Sequence, residues 1–165
     1  MKTLLLLRHA KSSWDNPALQ DFDRPLNERG LRAAPLVGRH LRKRKIVPDL
    51  ILCSPAQRTR ETVSLVSKAA HIESVLLRFD ERIYEASAER LSEVISQIEE
   101  KVNQALLIGH NPGLEELILH LTGEEKRMPT AALAQITLNV DKWNRTSAGC
   151  GTLDWLVKPK ELSED

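Results

Sequence analysis

Two arginines and two histidines stand out in the sequence because each follows a short apolar segment. Arg8 and His9 come directly after four leucines in LLLLRHAKS, and His110 follows the apolar run in LLIGHNPG. Arg58 comes soon after another apolar run, in LILCSPAQRTRET. Ligands of open parallel sheets gather at the carboxyl ends of the strands. If the three runs are strands of one sheet, all four side chains lie at the same edge.

Two guanidinium groups and two imidazoles at one edge suit a phosphate dianion. Helix N-termini are expected to add free N–H groups: Ser54 is a predicted N-cap with Pro55 at the first helical position, and Asn111-Pro112 repeats this pattern. A neutral imidazole can attack phosphorus with one ring nitrogen while a carbonyl oxygen holds the other. The remaining cations would stabilise the transferring phosphoryl group. The pattern therefore predicts phosphoryl transfer through a phosphohistidine, without a metal ion or other cofactor.

The elements that must position these residues follow from hydrophobic periodicity. Apolar runs alternate with segments of helical spacing, which predicts an α/β fold with a mostly parallel sheet. Buried strands are predicted at Leu4–Leu7, Leu50–Cys53, Val75–Leu77 and Ala105–Ile108, and two later strands at Ala134–Val140 and Thr152–Val157. Helices are predicted from Asn27 to about Arg44, from Ala56 to Ala70, from Ala88 to about Lys101, and after Pro112. The 165 residues contain no repeat or linker and are predicted to form one domain, with a frayed tail over 158–165.

Composition narrows the possible functions. The 24 lysines and arginines nearly balance the 23 aspartates and glutamates, which argues against a general nucleic-acid binder. No apolar stretch approaches the length of a membrane span, and Arg8 interrupts the run that a secretory signal would need. The cysteines have no paired spacing and the histidines no His-x-x-x-His spacing, so no metal site is predicted. We expect a cytoplasmic protein with neither nucleic-acid nor membrane partners.

Four motifs occur in the order in which they occur in the histidine phosphatase superfamily, which includes the cofactor-dependent phosphoglycerate mutases. LLLLRHA resembles its first motif, usually Arg-His-Gly, with Ala10 in place of the glycine. RPLNERG resembles the start of its first helix, and CSPAQRTRET and LIGHNPG resemble the motifs that carry its second arginine and second histidine. The resemblance extends from Leu4 to Leu121. It implies a three-layer α/β/α sandwich like that of the phosphoglycerate mutases.

The resemblance also implies roles for individual residues. His9 would be the nucleophile, and Arg8, Arg58 and His110 would bind the phosphoryl group, with His110 also taking part in catalysis. The proton donor of the family is a carboxylate after the third strand. In RFDERIYEAS that position belongs to Glu81.

Asp80 and Glu85 are close competitors for the role of proton donor, because both lie within the same short segment. Glutamate and aspartate can each serve as general acid and base. A phosphohistidine substrate would depend less on such an acid than a phosphate ester would, because a phosphoramidate leaves more easily.

Within the superfamily, the short chain and the YEAS segment are most similar to the SixA-type phosphohistidine phosphatases. The chain has little room for the insertions that cover the pocket in larger relatives. An open pocket would admit a phosphorylated side chain of another protein or a small phosphate ester. KSSWDNP stands where the mutases have their Glu and Asn, so mutase activity is disfavoured.

Three alternatives belong to other classes. Cys53 could be the nucleophile of a cysteine-dependent phosphatase, but the segment to Arg58 is one residue too short for the phosphate loop of that class. The DFD segment at Asp21–Asp23 could belong to an aspartate-nucleophile phosphatase, but the apolar strand that should precede it is missing. A non-catalytic module could use Arg8 and Arg58 only to hold a phosphorylated partner.

Overall fold

The computed structural model describes residues 1–73 and 76–162, which are arranged around a six-stranded sheet. The strands are β1 Lys2–Arg8, β2 Leu50–Cys53, β3 Leu77–Phe79, β4 Gln104–Gly109, β5 Leu133–Leu138 and β6 Gly151–Val157. Their order across the sheet is β3-β2-β4-β1-β5-β6. Strands β1 to β4 run parallel to one another, whereas β5 is antiparallel to both β1 and β6.

Four α-helices cover the two faces of the sheet. They are α1 Glu28–Lys43, α2 Gln57–Ala70, α3 Ala88–Ser96 and α4 Gly113–Thr122. Helices α1 and α2 share one apolar core with one face of the sheet, and α3 and α4 share a second core with the other face. The protein is therefore a three-layer α/β/α sandwich with a mostly parallel central sheet, as the sequence predicts.

The four leucines of β1 show why this strand lies in the middle of the sheet. Leu4 and Leu6 belong to the core under α3 and α4, whereas Leu5 and Leu7 belong to the core under α1 and α2. All four side chains are completely buried. Successive side chains of a strand point to opposite faces, so only a strand covered on both sides uses an unbroken apolar run. The run ends at Arg8, where the strand reaches the carboxyl edge.

Two predicted elements differ from the observed ones. Helix α3 ends at Ser96 instead of continuing to Lys101, and Ile98 and Val102 reach the core from the turn that follows. The prediction extends the helix too far because an apolar residue at helical spacing can equally be buried by a packed turn. Strand β3 lies at Leu77–Phe79 rather than at Val75–Leu77, and Val75 lies outside the described residues.

After β6 the chain forms a short 3-10 turn at Pro159–Glu161. This turn falls within the segment expected to fray, and residues 163–165 lie outside the described part of the chain. Within the described residues, no helix is both long and apolar enough to cross a membrane.

Candidate active site

The four predicted side chains line one cavity of about 340 Å³ at the carboxyl edge of the parallel strands. Arg8 is the last residue of β1 and His9 follows it, Arg58 lies in the first turn of α2, and His110 follows β4. His9, Arg58 and His110 are nearly completely buried, with about 6% of each residue exposed. The topology brings them together because β1, β4 and β2 are neighbours in the sheet.

The imidazole of His9 is held in one tautomer. Its Nδ1 lies 2.7 Å from the carbonyl oxygen of Ala10, which can only accept, so Nδ1 carries the proton and Nε2 keeps its lone pair. The backbone around the ring is fixed as well. The amide of His9 donates to Gly109 of β4, and the amide of Ala131 donates to the carbonyl oxygens of both Arg8 and His9.

Ala10, which replaces the usual glycine, fits without strain. Its side chain is completely buried, and its φ is not among the positive values found at four other non-glycine residues of the described chain. Its amide donates to Oγ1 of Thr62, which in turn donates to the carbonyl oxygen of Arg58 in α2. The residue after His9 therefore links the end of β1 to the helix that carries the second arginine.

Both histidines are uncharged at neutral pH. Burial lowers the pKa of His9 to about 4; the hydrogen bond to Ala10 opposes this shift, and the charges of Arg58 and Arg8 add to it. Burial also lowers the pKa of His110 to about 3, and His9 and Arg58 contribute in the same direction. Arg8 remains a cation although burial lowers its pKa, since guanidinium groups do not lose their proton in proteins. The cavity thus combines fixed positive charge with a neutral, nucleophilic imidazole.

Ser54 has a different role from the predicted one. Helix α2 begins at Gln57 with Ala56 as its N-cap, so the prediction of Ser54 as cap and Pro55 as first helical residue is wrong. The Ser54 hydroxyl instead lies 2.8 Å from Nε2 of His110 and also accepts from the amide of Ala56. A buried imidazole needs a polar partner, and Ser54 supplies it at the cavity wall.

Asn111 is likewise not the N-cap of α4, which begins at Gly113 with Pro112 as the cap. Its side-chain amide donates to Glu115 and to the carbonyl oxygen of Met128, and Nη1 of Arg8 donates to the same carbonyl oxygen at 3.0 Å. Asn111 and Met128 therefore support the first arginine of the site.

Asp21 lies at the centre of a network around the second arginine. Arg58 donates from Nη1 to the backbone carbonyl of Asp21 and from Nη2 to its carboxylate, at 2.7 and 3.0 Å. Tyr84 and Arg24 also donate to this carboxylate. Burial raises the pKa of the Asp21 carboxyl, but the hydrogen bonds from Tyr84 and Arg58 outweigh it and bring the pKa to about 2. Asp21 thus stays ionised and orients Arg58 toward the cavity.

Three buried nitrogen atoms of the site have no hydrogen-bond partner among the described residues: Nε of Arg8, Nε of Arg58 and Nδ1 of His110. A buried polar atom without a partner is costly, and native proteins tolerate few of them. Their concentration around one cavity is typical of a site whose polar groups are completed by a ligand. Guanidinium donors of this kind fit the oxygens of a phosphoryl group.

The three candidate proton donors lie in different environments. Glu85 lines the cavity, and its backbone is in the left-handed region with φ of 53°. Glu81 is exposed in the 3-10 turn Glu81–Ile83 and is not among the residues that line the cavity. Asp80 caps this turn and pairs with Arg82 at 2.7 Å, which holds the pKa of its carboxyl below the usual value. Among these carboxylates, the structure brings Glu85 to the cavity.

Cys53 has the properties of a structural residue. Its side chain is completely buried in the core under α1 and α2, and burial raises the pKa of its thiol far above the usual range. A thiol that does not ionise is a poor nucleophile. It is also absent from the residues that line the cavity.

Sequence reasoning missed Thr62 and Ala131 and gave Asp21 no role beside Arg58. The sequence places Asp21 in the DFD segment, which suggests only the aspartate-nucleophile alternative. The motif RPLNERG begins three residues later, at Arg24. The nearness of Asp21 to Arg58 could have been anticipated only from the packing of the 12–26 loop over α2. The left-handed Ala131, with φ of 62°, carries no sequence signal, because glycine is the residue expected at such a position.

A covered α/β sheet with two arginines and two neutral histidines at its carboxyl edge has the charge and the hydrogen-bond donors that suit a phosphoryl group. Comparisons with known proteins agree. The profile of the histidine phosphatase superfamily (branch 1) matches residues 4–88. The chain belongs to this superfamily, and it is a phosphatase.

Individual relatives cover almost the whole chain. An uncharacterised chloroplastic protein of Arabidopsis thaliana is 34% identical, with 95% of this chain and 76% of the relative aligned. The crystal structure of the Agrobacterium tumefaciens protein named as phosphohistidine phosphatase SixA is 30% identical, has a TM-score of 0.81, and aligns over 96% of this chain and 98% of the other. A tungstate complex of the protein histidine phosphatase SixA shares the fold, with a TM-score of 0.83 at 24% identity over 96% of this chain and 98% of the other.

Proposed function

We propose that this protein hydrolyses phosphate monoesters or phosphohistidine through a covalent phosphohistidine on His9. The observation that carries the proposal is the state of the His9 ring. Its Nδ1 is held by the Ala10 carbonyl, and its Nε2 has no hydrogen-bond partner among the described residues, in a cavity lined by Arg8, Arg58 and His110. A neutral imidazole fixed in this way is a competent nucleophile at phosphorus.

The first half of the cycle follows from this geometry. Arg8, Arg58 and His110 hold the phosphoryl oxygens, and Nε2 of His9 forms a bond to phosphorus as the bond to the leaving oxygen or nitrogen breaks. The leaving group takes a proton from an acid. The two guanidinium groups stabilise the charge that spreads over the equatorial oxygens in the transition state.

In the second half a water molecule attacks the phosphorus of phospho-His9. The phosphorus–nitrogen bond breaks, the electron pair returns to Nε2, and inorganic phosphate leaves. The carboxylate that served as acid accepts a proton from the water. The cycle uses only side chains of this protein and requires no metal ion.

Two carboxylates are candidates for the acid of this mechanism. Glu81 is the residue implied by the resemblance to the superfamily, whereas Glu85 is the carboxylate that lines the cavity. A general acid must come within hydrogen-bond reach of the leaving atom, directly or through one water. This requirement supports Glu85, and the two residues can be separated by substitution.

For the substrate, we propose a phosphohistidine side chain of another protein. The likeness to the A. tumefaciens protein named as SixA supports this choice, since it is 30% identical over nearly the full length of both chains. The surface beside the cavity also suits a protein partner. Trp14 lines the cavity with 73% of its surface exposed, and Arg24 stacks on its ring at 3.5 Å. Tryptophan is enriched in protein interfaces, and the buried Arg24 guanidinium holds this exposed ring in place beside the cavity.

A small phosphate ester is the second candidate substrate. The observation that favours it is a further cavity of about 610 Å³ that shares Arg8 and Asn111 with the catalytic one. Cavities of this size are typical of small-molecule sites. Rates measured side by side on a phosphohistidine protein and a panel of small phosphate esters would rank the two candidates.

Substitution of His9 tests the covalent mechanism directly. We expect His9→Ala to abolish turnover and His120→Ala, a change at an exposed position of α4, to leave it intact. Rapid acid-free quenching during turnover of a radiolabelled substrate should trap an acid-labile phosphate on the unmodified protein and none on His9→Ala. Turnover that survives in His9→Ala but stops with a metal chelator would contradict the mechanism. Tight phosphate binding without any turnover would indicate a non-catalytic module.

A further inference from the structure

The larger cavity beside the catalytic one is strongly basic. It continues from the catalytic cavity across Arg8, Lys11, Asn111 and Thr130, which line both. Cations from several separate elements converge on it: Arg8, Lys11, Arg29, Arg127, Lys158 and Lys160. We call this larger cavity the basic annex.

The positive charge of the basic annex is not balanced locally. Among the described residues that line it, Glu115 is the one acid, and its Oε2 already accepts from the amide of Met128 and the side chain of Asn111. Within residues 1–73 and 76–162, none of the six cations forms an ion pair. The whole chain carries a net charge of only +1. The annex therefore has a local excess of positive charge that is much larger than the net charge of the chain.

Such a concentration has an energetic cost unless an anion relieves it. Like charges repel, and a concave wall of low dielectric constant focuses their field into the cavity. The cations come from β1 and the loop after it, from α1, from the segment between α4 and β5, and from the segment that follows β6. The fold, rather than one charged stretch of sequence, therefore brings them together. An arrangement of this kind suits a multiply charged anion.

We propose that the basic annex binds a second anionic group of the substrate while the scissile phosphoryl group lies beside His9. This inference rests on the proposed phosphatase function and adds a specificity rule to it. Preferred substrates carry a second phosphate or carboxylate, separated from the scissile phosphate by the distance between the two cavities. Arg8 lines both cavities and contacts the substrate from the catalytic side.

The experiment compares substrates that differ only in the second anion. The first series pairs α,ω-alkanediol bisphosphates of increasing chain length with monoalkyl phosphates of the same length. The second series pairs a phosphohistidine peptide flanked by aspartates with the same peptide flanked by asparagines. In each pair, kcat/KM for the substrate with the second anion is divided by kcat/KM for its partner without it. The value for a bisphosphate is first halved, because either of its two phosphates can react. The resulting ratio measures the contribution of the second anion.

Arg127→Gln combined with Lys158→Gln tests whether that contribution comes from the annex. The matched control combines Lys126→Gln with Lys43→Gln, which removes the same net charge at exposed positions that do not line the annex. We expect a ratio of about tenfold or more for the best anionic substrate, on the scale of two partly exposed ion pairs. The ratio of kcat/KM should fall toward one in the annex variant and persist in the control. In the unmodified protein it should decrease as salt is added.

The two substrate series distinguish between the possible sources of the second anion. A preference confined to bisphosphates assigns the second anion to a phosphate of a small molecule, and one confined to peptides assigns it to acidic side chains of a protein. Ratios near one in both series, or equal losses in annex variant and control, overturn the inference. Failure of the proposed function would look different, because the unmodified protein would then turn over neither member of any pair or His9→Ala would retain its activity.

Discussion

At the scale of single residues, the site depends on how neighbours constrain groups that would otherwise be ordinary. In the proposed nucleophile His9, one carbonyl fixes the tautomer of the ring and burial keeps the ring neutral. Arg58 is oriented by its hydrogen bond to Asp21, whose carboxyl stays ionised because Tyr84 and Arg58 donate hydrogen bonds to it. Of these constraints, the ion pair between Arg58 and Asp21 is the one that a single substitution of Asp21 removes.

Glu85 and Glu81 offer a matched pair of substitutions for finding the acid. We expect Glu85→Gln to slow ester hydrolysis by about 100-fold, the usual scale of general acid catalysis. Hydrolysis of phosphohistidine should slow much less, since its leaving nitrogen needs less help. Glu81→Gln should have little effect on either substrate, because Glu81 is exposed outside the cavity.

The backbone supports Glu85 as the residue to test. A left-handed φ of 53° is uncommon outside glycine and is found preferentially where function requires a particular side-chain position. Steady-state kinetics of both variants on both substrates would decide. The reverse pattern, with a selective loss in Glu81→Gln, would assign the acid to the position implied by the superfamily. Equal losses on ester and phosphohistidine would exclude the variant residue as leaving-group acid.

At the scale of elements, α1 packs directly against the loop that follows His9. A Cβ atom on Gly30 would collide with the backbone carbonyl oxygen of Lys11. The amide of Asn27 donates to the same oxygen, and Asn27 caps the helix through its side chain. The start of α1 and the loop that follows His9 are therefore packed together without spare room.

Gly30→Ala tests this fit. We expect it to lower the free energy of unfolding by about 1–3 kcal/mol, as overpacking usually does, and to lower kcat by displacing the residues beside His9. Arg32→Ala, on the exposed face of the same helix, should change neither. Urea unfolding followed by kinetics of the folded variant separates the two effects. A Gly30→Ala protein with unchanged stability and kcat would show that the loop moves aside freely.

The elements themselves were largely predictable, and the contacts between them were not. LLLL predicts a strand covered on both faces because a short, unbroken apolar run that ends at a polar segment is typical of a buried parallel strand. The contact of Ser54 with His110 spans 56 positions in sequence, and that of Arg58 with Asp21 spans 37. Contacts between residues so far apart in the chain cannot be predicted from local sequence patterns. The prediction of Ser54 as a helix cap is wrong because capping rules consider only the next few residues of the chain. The Ser54 hydroxyl instead contacts His110, which follows the neighbouring strand.

At the scale of the whole molecule, the two buried histidines couple the site to global stability. In the unfolded chain a histidine titrates near 6.5, whereas in the folded protein the pKa of His9 is about 4 and that of His110 about 3. Between these values the unfolded state binds more protons than the folded state. The free energy of unfolding therefore rises with pH across this window, and the contribution is complete above about pH 6.5.

The resulting loss on acidification should be measurable by urea unfolding at several pH values from neutral to about 4.5. Each histidine contributes a slope of at most about 1.4 kcal/mol per pH unit below pH 6.5. Asp21 adds little here, because its pKa of about 2 and the ordinary value of 3.8 both lie below the window. His9→Asn and His110→Asn should each lower the slope, and His40, whose pKa burial also lowers, keeps a share of it. His120→Asn, at an exposed position, should leave the slope unchanged. If the slope is the same in all four proteins, the histidines are not held neutral by the fold, and the basis for a ready nucleophile at neutral pH is lost.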